Sequence, residues 1–325
     1  MSRIVPRLLA GLLLGTALVA VPAVAQPDTA RRTGTTVADT AVPGWRFASF
    51  TVDAADGHDR YRVRVALPDG TPPAGGHPVA YLLDGNAALM EMDAALLARL
   101  ATAPRPPVVA FIAHDNDLRI DADARAFDYT PRRAGGDDAQ RDPLGGRRNG
   151  GADALLALLG ASIAPRVEAM AVVDPARRAL WGHSYGGVFV LHALFSRPEA
   201  FSVYAAADPS LWWGEGHLLA EEAKLAAFPA PSPTLWLWIG EGGAVPAHAP
   251  PPGRDPAMVD AMRRARASVP PDAAARLATR LRARGLAVEL QPLEGMGHGQ
   301  TLGASARLML ERLASLPTAG EGVQP

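Results

Sequence analysis

The sequence contains no cysteine, and this absence excludes several kinds of chemistry. A cysteine nucleophile, a disulfide and a thiolate metal site all need the missing thiol. A lipoprotein is excluded too, because its lipid would need a cysteine beside the cleavage site. Lysine occurs only as Lys224, whereas arginine is abundant. We interpret this imbalance as a bias of genomic composition without functional weight.

A large net charge and an internal repeat are also missing. The formal net charge of −1 gives no reason to expect nucleic acid as a partner. The length of 325 residues and the hydrophobic content of 48% suit one large globular domain. We divide the chain into a signal peptide (1–25), a linker (26–44), the folded domain (45–316) and a tail (317–325).

Only the N-terminus carries an apolar run that bears on membranes. Arg3 and Arg7 precede apolar residues 8–21, and Ala23-Val24-Ala25 places small residues before Gln26. This pattern predicts a secretory signal peptide cleaved after Ala25. An uncleaved membrane anchor is the alternative, but the run is short for a span. We therefore expect a periplasmic or secreted protein with no membrane contact after cleavage.

Residues 181–187, Trp-Gly-His-Ser-Tyr-Gly-Gly, contain the pattern Gly-x-Ser-x-Gly. Because 32 of the 325 residues are glycine, the bare pattern is weak. Its surroundings strengthen it, since apolar residues 179–181 lead in and a helical pattern over 188–195 leads out. A strand, a sharp turn and a helix form the nucleophile elbow of an α/β-hydrolase, which makes Ser184 the candidate nucleophile.

Strands and helices alternate after an opening hairpin, which predicts a mostly parallel central sheet with helices on both faces. We therefore predict the α/β-hydrolase fold. A polar segment over residues 114–151 is expected to be a long loop at the rim of the active site. The predicted strands are 45–52, 60–67, 79–83, 108–113, 179–181, 201–207, 234–239 and 287–292, and the predicted helices are 87–100, 152–167, 188–195, 215–227, 257–267, 272–284 and a closing helix to 316.

The candidate general base is His298. It lies in a glycine-flanked loop between the last strand and the last helix, where this fold places its catalytic histidine. Its role would be to take the proton of Ser184 and return it to the leaving alkoxide. The other histidines lie in positions that suit this role less well: His58, His77, His114, His183, His192, His217 and His248.

The third catalytic residue has several candidates. The usual position directly after the strand 234–239 holds Glu241, and Asp255 and Asp260 lie farther along. Glu241 could equally be an ordinary loop carboxylate. A Ser-His dyad oriented by a backbone carbonyl is a further possibility.

The oxyanion hole needs two backbone N–H groups. The elbow predicts one from Tyr185, and the Asp-Gly-Asn turn after the third strand predicts the other from Asn86. The acids at 115, 117, 121 and 123 lack the central glycine and terminal glutamate of a calcium loop. We interpret them as a solvated rim, and we predict neither a metal nor a cofactor.

Several segments together resemble a known family. The segments are Tyr-Leu-Leu-Asp-Gly-Asn (81–86), Arg-Ala-Phe-Asp-Tyr-Thr-Pro (125–131), Gly-Gly-Ala-Asp (150–153), Gly-His-Ser-Tyr-Gly-Gly (182–187), Pro-Ser-Leu-Trp-Trp (209–213) and Gly-His-Gly (297–299). Through these segments the chain is similar to the “putative esterase” branch of the α/β-hydrolases, and within it to periplasmic esterases of enterobactin-type siderophore trilactones. The likeness extends over residues 45–316.

The resemblance implies hydrolysis of a tri-catecholate lactone or a related small-molecule ester. Ser184 and His298 match the family's nucleophile and base, and some members work without an acid. Arg125 matches an arginine that faces the anionic substrate, and Trp212 and Trp213 offer rings for stacking catechols. The structural alternative for Arg125 is a surface ion pair with a neighbouring aspartate. For one of the two tryptophans, the structural alternative is packing in the core. The alternative functions are a general short-chain or acyl esterase and a non-catalytic binding protein of this fold.

Overall fold

An eight-stranded sheet lies at the centre of the structure, a computed structural model that describes residues 30–54, 57, 59–142, 145–225, 227–242 and 256–316. Its strands lie in the order β1-β2-β4-β3-β5-β6-β7-β8. β2 runs antiparallel to β1 and β4, and the other pairs are parallel. The strands are β1 (Trp45–Asp53), β2 (Arg60–Pro68), β3 (His77–Leu82), β4 (Val108–His114), β5 (Val173–His183), β6 (Val203–Ala207), β7 (Thr234–Gly240) and β8 (Ala287–Leu293).

Helices cover both faces of this sheet. Alternate residues of each central strand point to opposite faces, so that Tyr81 belongs to one apolar cluster and Leu82 to the other. The predicted α/β-hydrolase fold and its opening hairpin are confirmed. The helices are α1 (Gly85–Met90), α2 (Ala94–Ala101), α3 (Ala122–Asp128), α4 (Ala152–Leu158), α5 (Ala164–Glu168), α6 (Tyr185–Ser196), α7 (His217–Ala223), α8 (Pro256–Arg266), α9 (Ala273–Ala283) and α10 (His298–Ser315).

Two of the differences between the predicted segments and the structure arise from capping side chains. The helix predicted over 87–100 is divided into α1 and α2, because the Asp93 side chain accepts a hydrogen bond from the Leu96 N–H (2.7 Å) and starts a new helix. The loop predicted over 114–151 contains α3, whose first turn is capped in the same way by Asp121. Both breaks are set by single capping side chains within segments that we had assigned as uniform.

The predicted linker packs against the domain over its described part, residues 30–44. The Thr33 N–H donates to the carbonyl of Asp117 (2.9 Å), and Val42 is buried in one of the two apolar clusters. The predicted signal peptide and tail lie outside the described residues. Among the residues that are described, no helix has both the length and the apolar character to cross a membrane.

Candidate active site

The turn between β5 and α6 has the geometry that a nucleophile elbow requires. Ser184 has φ 60° and ψ −112°, a conformation that is strained for a residue with a side chain. A Cβ at Gly182 would lie 2.3 Å from the Gly186 carbonyl oxygen, so the strand and helix approach each other closely only because that position is glycine. The elbow predicted from the sequence is therefore present.

His298 begins α10 and faces Ser184. Its Nε2 lies 3.1 Å from the Ser184 Oγ, within hydrogen-bond distance. The Ser184 Oγ also lies 3.2 Å from the hydroxyl of Ser210, a buried residue. A serine hydroxyl in contact with an imidazole nitrogen can lose its proton as it attacks a carbonyl carbon. The structure thus brings together the two residues that the sequence predicted as nucleophile and base.

The carboxylate beside His298 belongs to Asp208, not to Glu241. Asp208 follows β6, and its Oδ2 lies 3.4 Å from the His298 Nδ1. Glu241 is exposed, and its backbone N–H donates to the carbonyl of Leu293 (3.1 Å). In the described part of the chain its carboxylate forms no ion pair with His298. The assignment of Glu241 to this position is corrected to Asp208. Ala207 pairs with Trp238 in the register of β6 and β7, so Glu241 lies two positions beyond the level of Asp208.

The other candidate carboxylates lie elsewhere. Asp260 pairs with Arg263 on α8 (2.5 Å), and Asp255 lies outside the described residues, as do His58 and His248. The four acids of the predicted rim have partners within the domain. Asp115 and Asp117 pair with Arg62, Asp123 pairs with Arg147, and Asp121 caps α3.

The two predicted oxyanion donors lie in the first turns of helices, where backbone N–H groups lack intrahelical partners. Tyr185 is the first residue of α6, and Asn86 is the second residue of α1. The N–H of Asp84 is already used, since it donates to the Tyr129 hydroxyl (2.9 Å). The Asn86 side chain accepts from Arg64 and donates to two backbone carbonyls, so only its backbone N–H could serve an oxyanion.

Arg125 lies inside the protein rather than at the substrate rim. Its guanidinium forms a bidentate ion pair with Asp84, in which Nε lies 2.9 Å from Oδ1 and Nη2 lies 2.7 Å from Oδ2. The guanidinium also donates to the carbonyl of His183 (3.2 Å). The rings of Tyr129 and Tyr185 lie 5.5 Å from it. The predicted contact with substrate is corrected, because Arg125 is 8% exposed and its donors join the Asp84-Gly85-Asn86 turn to the elbow.

The two tryptophans differ in exposure. Trp213 is 2% exposed, whereas Trp212 is half-buried, with its ring 6.1 Å from that of Tyr185. Core packing therefore describes Trp213, whereas Trp212 keeps part of its surface exposed beside Tyr185 of the elbow helix. The guanidinium of Arg133 lies 5.6 Å from the Trp213 ring.

The only group of potential metal ligands found among the described residues is His183, Asp208 and His298. The His183 ring lies next to that of His298, tilted by 41° and with a centroid distance of 4.6 Å. Burial, followed by the neighbouring charges of His298 and Arg125, lowers the pKa of His183 well below its ordinary value. This ring is thus neutral, and its Nε2 is occupied by the His298 carbonyl and by Thr301.

Comparison with known proteins identifies the family. The model of the family described as “Putative esterase” matches residues 56–262. The chain belongs to this family. Its sequence is similar to that of the apo-salmochelin esterase of Escherichia coli O6:H1, with 38% identity over 220 residues and 68% of each chain covered. It is also 36% identical over 174 residues to the siderophore triacetylfusarinine C esterase of Aspergillus fumigatus, covering 51% of this chain and 56% of that one.

A solved structure agrees with this assignment. The enterobactin hydrolase IroE in complex with DFP superposes with a TM-score of 0.68 and 30% identity, covering 86% of this chain and 99% of that one. The chain is thus a serine esterase of the α/β-hydrolase fold.

Sequence reasoning missed three residues of this esterase's site. Ser210 lies in the segment 209–213 that we singled out for its tryptophans, and Asp208 directly precedes that segment. Thr301 lies one turn after His298. An acid directly at the end of the strand after the elbow was a usable signal for Asp208. The hydroxyls of Ser210 and Thr301 carried no signal in the sequence, because their partners come from other elements.

Proposed function

We propose that this esterase cleaves its substrate through an acyl-enzyme on Ser184. The contact of 3.1 Å between the Ser184 Oγ and the His298 Nε2 carries the proposal. His298 takes the hydroxyl proton as Oγ bonds to the ester carbon, and the N–H groups of Tyr185 and Asn86 donate to the resulting oxyanion. The C–O bond then breaks, and the alkoxide leaves with the proton from His298. Water repeats the sequence and releases the acid.

We propose Asp208 as the third catalytic residue. An acid at the Nδ1 of the base holds the imidazole in the productive tautomer and stabilises the imidazolium that forms. The distance of 3.4 Å is long for a hydrogen bond, and such contacts commonly tighten when substrate binds. The backbone N–H of Gly240 donates to the other carboxylate oxygen (3.1 Å), which keeps Oδ2 directed at His298.

We infer that the substrate is a siderophore-type ester, a tri-catecholate lactone or a related bulky aromatic ester. The bacterial and fungal relatives named above are siderophore esterases. The half-buried Trp212, next to Tyr185, suits an aromatic ring of the substrate, and Arg133, next to Trp213, suits an anionic group. The rival is a general short-chain or acyl esterase. The burial of Arg125 favours that rival, since it removes one cation expected at the rim.

Labelling with a fluorophosphonate probe tests the catalytic proposal. Wild type should be labelled, and Ser184→Ala should not. Ser196→Ala is the matched control, because Ser196 lies at the other end of α6 and bonds to the carbonyl of His192. An unlabelled wild type would support a non-catalytic binding protein instead. A Ser184→Ala variant that is still labelled would show that the nucleophile is another residue and would contradict the proposal for Ser184.

Comparison of kcat/KM on a tri-catecholate lactone and on p-nitrophenyl acetate tests the substrate. We expect a strong preference for the lactone, and a loss of about tenfold on the lactone alone in Trp212→Ala. Arg133→Ala should likewise lower kcat/KM on the lactone and leave kcat/KM on p-nitrophenyl acetate unchanged. Arg60→Ala, which removes an exposed arginine paired with Asp53 on the edge hairpin, is the control. No preference, or equal losses on both substrates, would identify a general esterase.

We also propose that the esterase is exported. The charged start, the apolar run and Ala23-Val24-Ala25 support cleavage after Ala25. The mature protein in a periplasmic or culture fraction should begin at Gln26 by N-terminal sequencing. Recovery of the chain with its intact N-terminus in the membrane fraction would identify an uncleaved anchor.

A further inference from the structure

We propose that Thr301 is a positioning residue of the catalytic site, whose hydroxyl holds the Asp208 carboxylate in place against His298. The inference rests on the proposed serine esterase mechanism and extends it by one residue. Thr301 lies three residues after His298 on α10, so the two side chains share one face of the helix. The Thr301 side chain is fully buried.

The Thr301 hydroxyl has three polar neighbours and only one proton to donate. Its Oγ1 lies 2.9 Å from the Asp208 Oδ2, 2.8 Å from the His298 carbonyl oxygen and 3.0 Å from the His183 Nε2. The direction of the hydroxyl therefore decides whether Thr301 supports the carboxylate or only its own helix.

The neighbouring His183 leaves the hydroxyl two possible acceptors. The His183 Nε2 lies 2.8 Å from the His298 carbonyl, and a carbonyl can only accept, so Nε2 carries the proton of this neutral ring. A protonated nitrogen cannot accept a hydrogen bond from Thr301. The hydroxyl proton must go either to the His298 carbonyl or to Asp208.

The carboxylate is the stronger of these two acceptors. The His298 carbonyl already accepts from His183, whereas a hydrogen bond to an ionised carboxylate is about twice as strong as one between neutral groups. The hydroxyl therefore donates to the Asp208 Oδ2, which is the oxygen facing the His298 Nδ1. The Thr301 hydroxyl and the Gly240 N–H then hold one carboxylate oxygen each.

This support matters because Asp208 occupies a strained position. Its φ of 42° lies in the left-handed region, which a residue with a side chain seldom adopts. A Cβ at Gly240 would lie 3.0 Å from the Asp208 Oδ2, so the carboxylate is closely enclosed on that side too. Without the Thr301 hydroxyl, the Asp208 Oδ2 would still be packed closely against Gly240. It would lose the hydrogen-bond donor that directs it to the His298 imidazole.

Replacement of Thr301 by valine, alanine and serine tests the inference by steady-state kinetics on p-nitrophenyl acetate. Thr301→Val keeps the shape of the side chain and should lower kcat by about ten- to a hundredfold, as expected for a lost hydrogen bond to a charged group, with KM changed less than about twofold. Thr301→Ser keeps the hydroxyl and should restore kcat to within about threefold of wild type. Thr301→Ala covers the case in which the valine variant does not fold.

The matched control is Ser305→Ala, one turn farther along α10. The Ser305 hydroxyl is buried like that of Thr301, but it accepts from the Trp181 ring nitrogen and donates to the carbonyl of Leu302. This variant should lower thermal stability while the folded enzyme keeps its kcat. A fall in kcat equal to that of Thr301→Val would mean that any buried hydroxyl of α10 matters equally, which would overturn the inference.

A double-mutant cycle separates positioning from a general structural effect. If Thr301 acts through Asp208, then Thr301→Val should cause no further loss in an Asp208→Asn background. The full loss in that background, or wild-type kcat in Thr301→Val, would overturn the inference and leave the esterase mechanism standing. A wild type that neither reacts with the fluorophosphonate nor hydrolyses the ester would instead overturn the proposed function, and this inference with it.

Discussion

At the residue scale, the carboxylate beside His298 distinguishes a triad from a dyad. We expect Asp208→Asn to lower kcat substantially, up to the order of 10⁴ seen when a serine-protease triad loses its acid. Glu241→Gln should lose less than tenfold, because Glu241 is exposed and lies apart from the imidazole. Steady-state kinetics on one ester, with circular dichroism to confirm folding, measure both variants. A loss of less than tenfold in Asp208→Asn would indicate a Ser-His dyad.

Arg125 provides a second prediction at this scale. Its removal leaves the buried Asp84 carboxylate without its partner, and breaking a buried pair in this way costs about 3–5 kcal/mol. Arg125→Ala should therefore reduce the free energy of unfolding in urea by that amount. Because the guanidinium joins the elbow to the turn that holds Asn86, the proposed oxyanion donor, activity on the lactone and on small esters should fall together.

The exposed pair of Arg60 and Asp53 is the control for this prediction. Arg60→Ala should change stability by less than about 1 kcal/mol, as is usual for surface ion pairs. A stable Arg125→Ala variant that loses only lactone activity would return Arg125 to the role in substrate binding implied by the family resemblance.

At the scale of elements, His192 connects α6 to two other helices. Its Nε2 lies 3.0 Å from the Asp153 Oδ1 on α4, and its Nδ1 lies 3.0 Å from the Glu221 Oε2 on α7. Burial opposes a charge on this ring, but the hydrogen bonds and charges of Glu221 and Asp153 together outweigh it and raise the pKa of His192. The His192 ring thus links the elbow helix to a carboxylate on α4 and to another on α7.

The stability that these contacts contribute should depend on pH. A group whose pKa is raised by folding stabilises the protein fully below its unfolded pKa, about 6.5 for histidine, and loses this effect as the pH rises through the folded pKa. His192→Gln should therefore lower Tm most at pH 5–6, with a smaller difference from wild type at pH 8–9. Differential scanning calorimetry across this range measures the difference, and one that grew with pH would contradict the prediction.

His77 is a control for this prediction, because its pKa is shifted in the opposite direction from that of His192. Burial, which outweighs a hydrogen bond to the carbonyl of Pro106, lowers the pKa of His77. A histidine kept neutral by folding costs stability when the unfolded chain becomes protonated, so its unfavourable effect appears below about pH 6.5. In His77→Gln, the Tm difference from wild type should therefore become more favourable as the pH falls, unlike that in His192→Gln.

The elements also show why some of the site could be predicted and some could not. The elbow and the loop of His298 follow from local signals, namely glycine spacing between an apolar strand and a helix. Asp208 required knowing that β6 and β7 end side by side, which is a tertiary fact. Arg125 was assigned by resemblance alone, and its partner Asp84 lies 41 residues away along the chain.

At the scale of the whole molecule, the same difference between local and tertiary information applies. The alternation of strands and helices predicted the architecture, because parallel strands need helical crossovers. Composition predicted a polar linker over 26–44, but the described residues of that segment contact the domain through the backbone. The Arg119 N–H donates to the carbonyl of Arg31 (2.7 Å), beside the bond from Thr33 to Asp117. Backbone pairing of this kind leaves no trace in composition.

Truncation at the N-terminus tests whether residues 26–44 belong to the folded unit. A chain that starts at Trp45 loses the burial of Val42, worth about 1.5–3 kcal/mol, together with the backbone contacts of Arg31 and Thr33. Since each kcal/mol shifts Tm by about 2–4 °C in a protein of this size range, we expect a Tm several degrees below that of a chain starting at Gln26. Removal of residues 317–325, the predicted tail, is the control and should leave Tm unchanged. Equal Tm values for the chains starting at Gln26 and at Trp45 would show that the contacts of residues 30–44 contribute nothing to stability, as expected of a true linker.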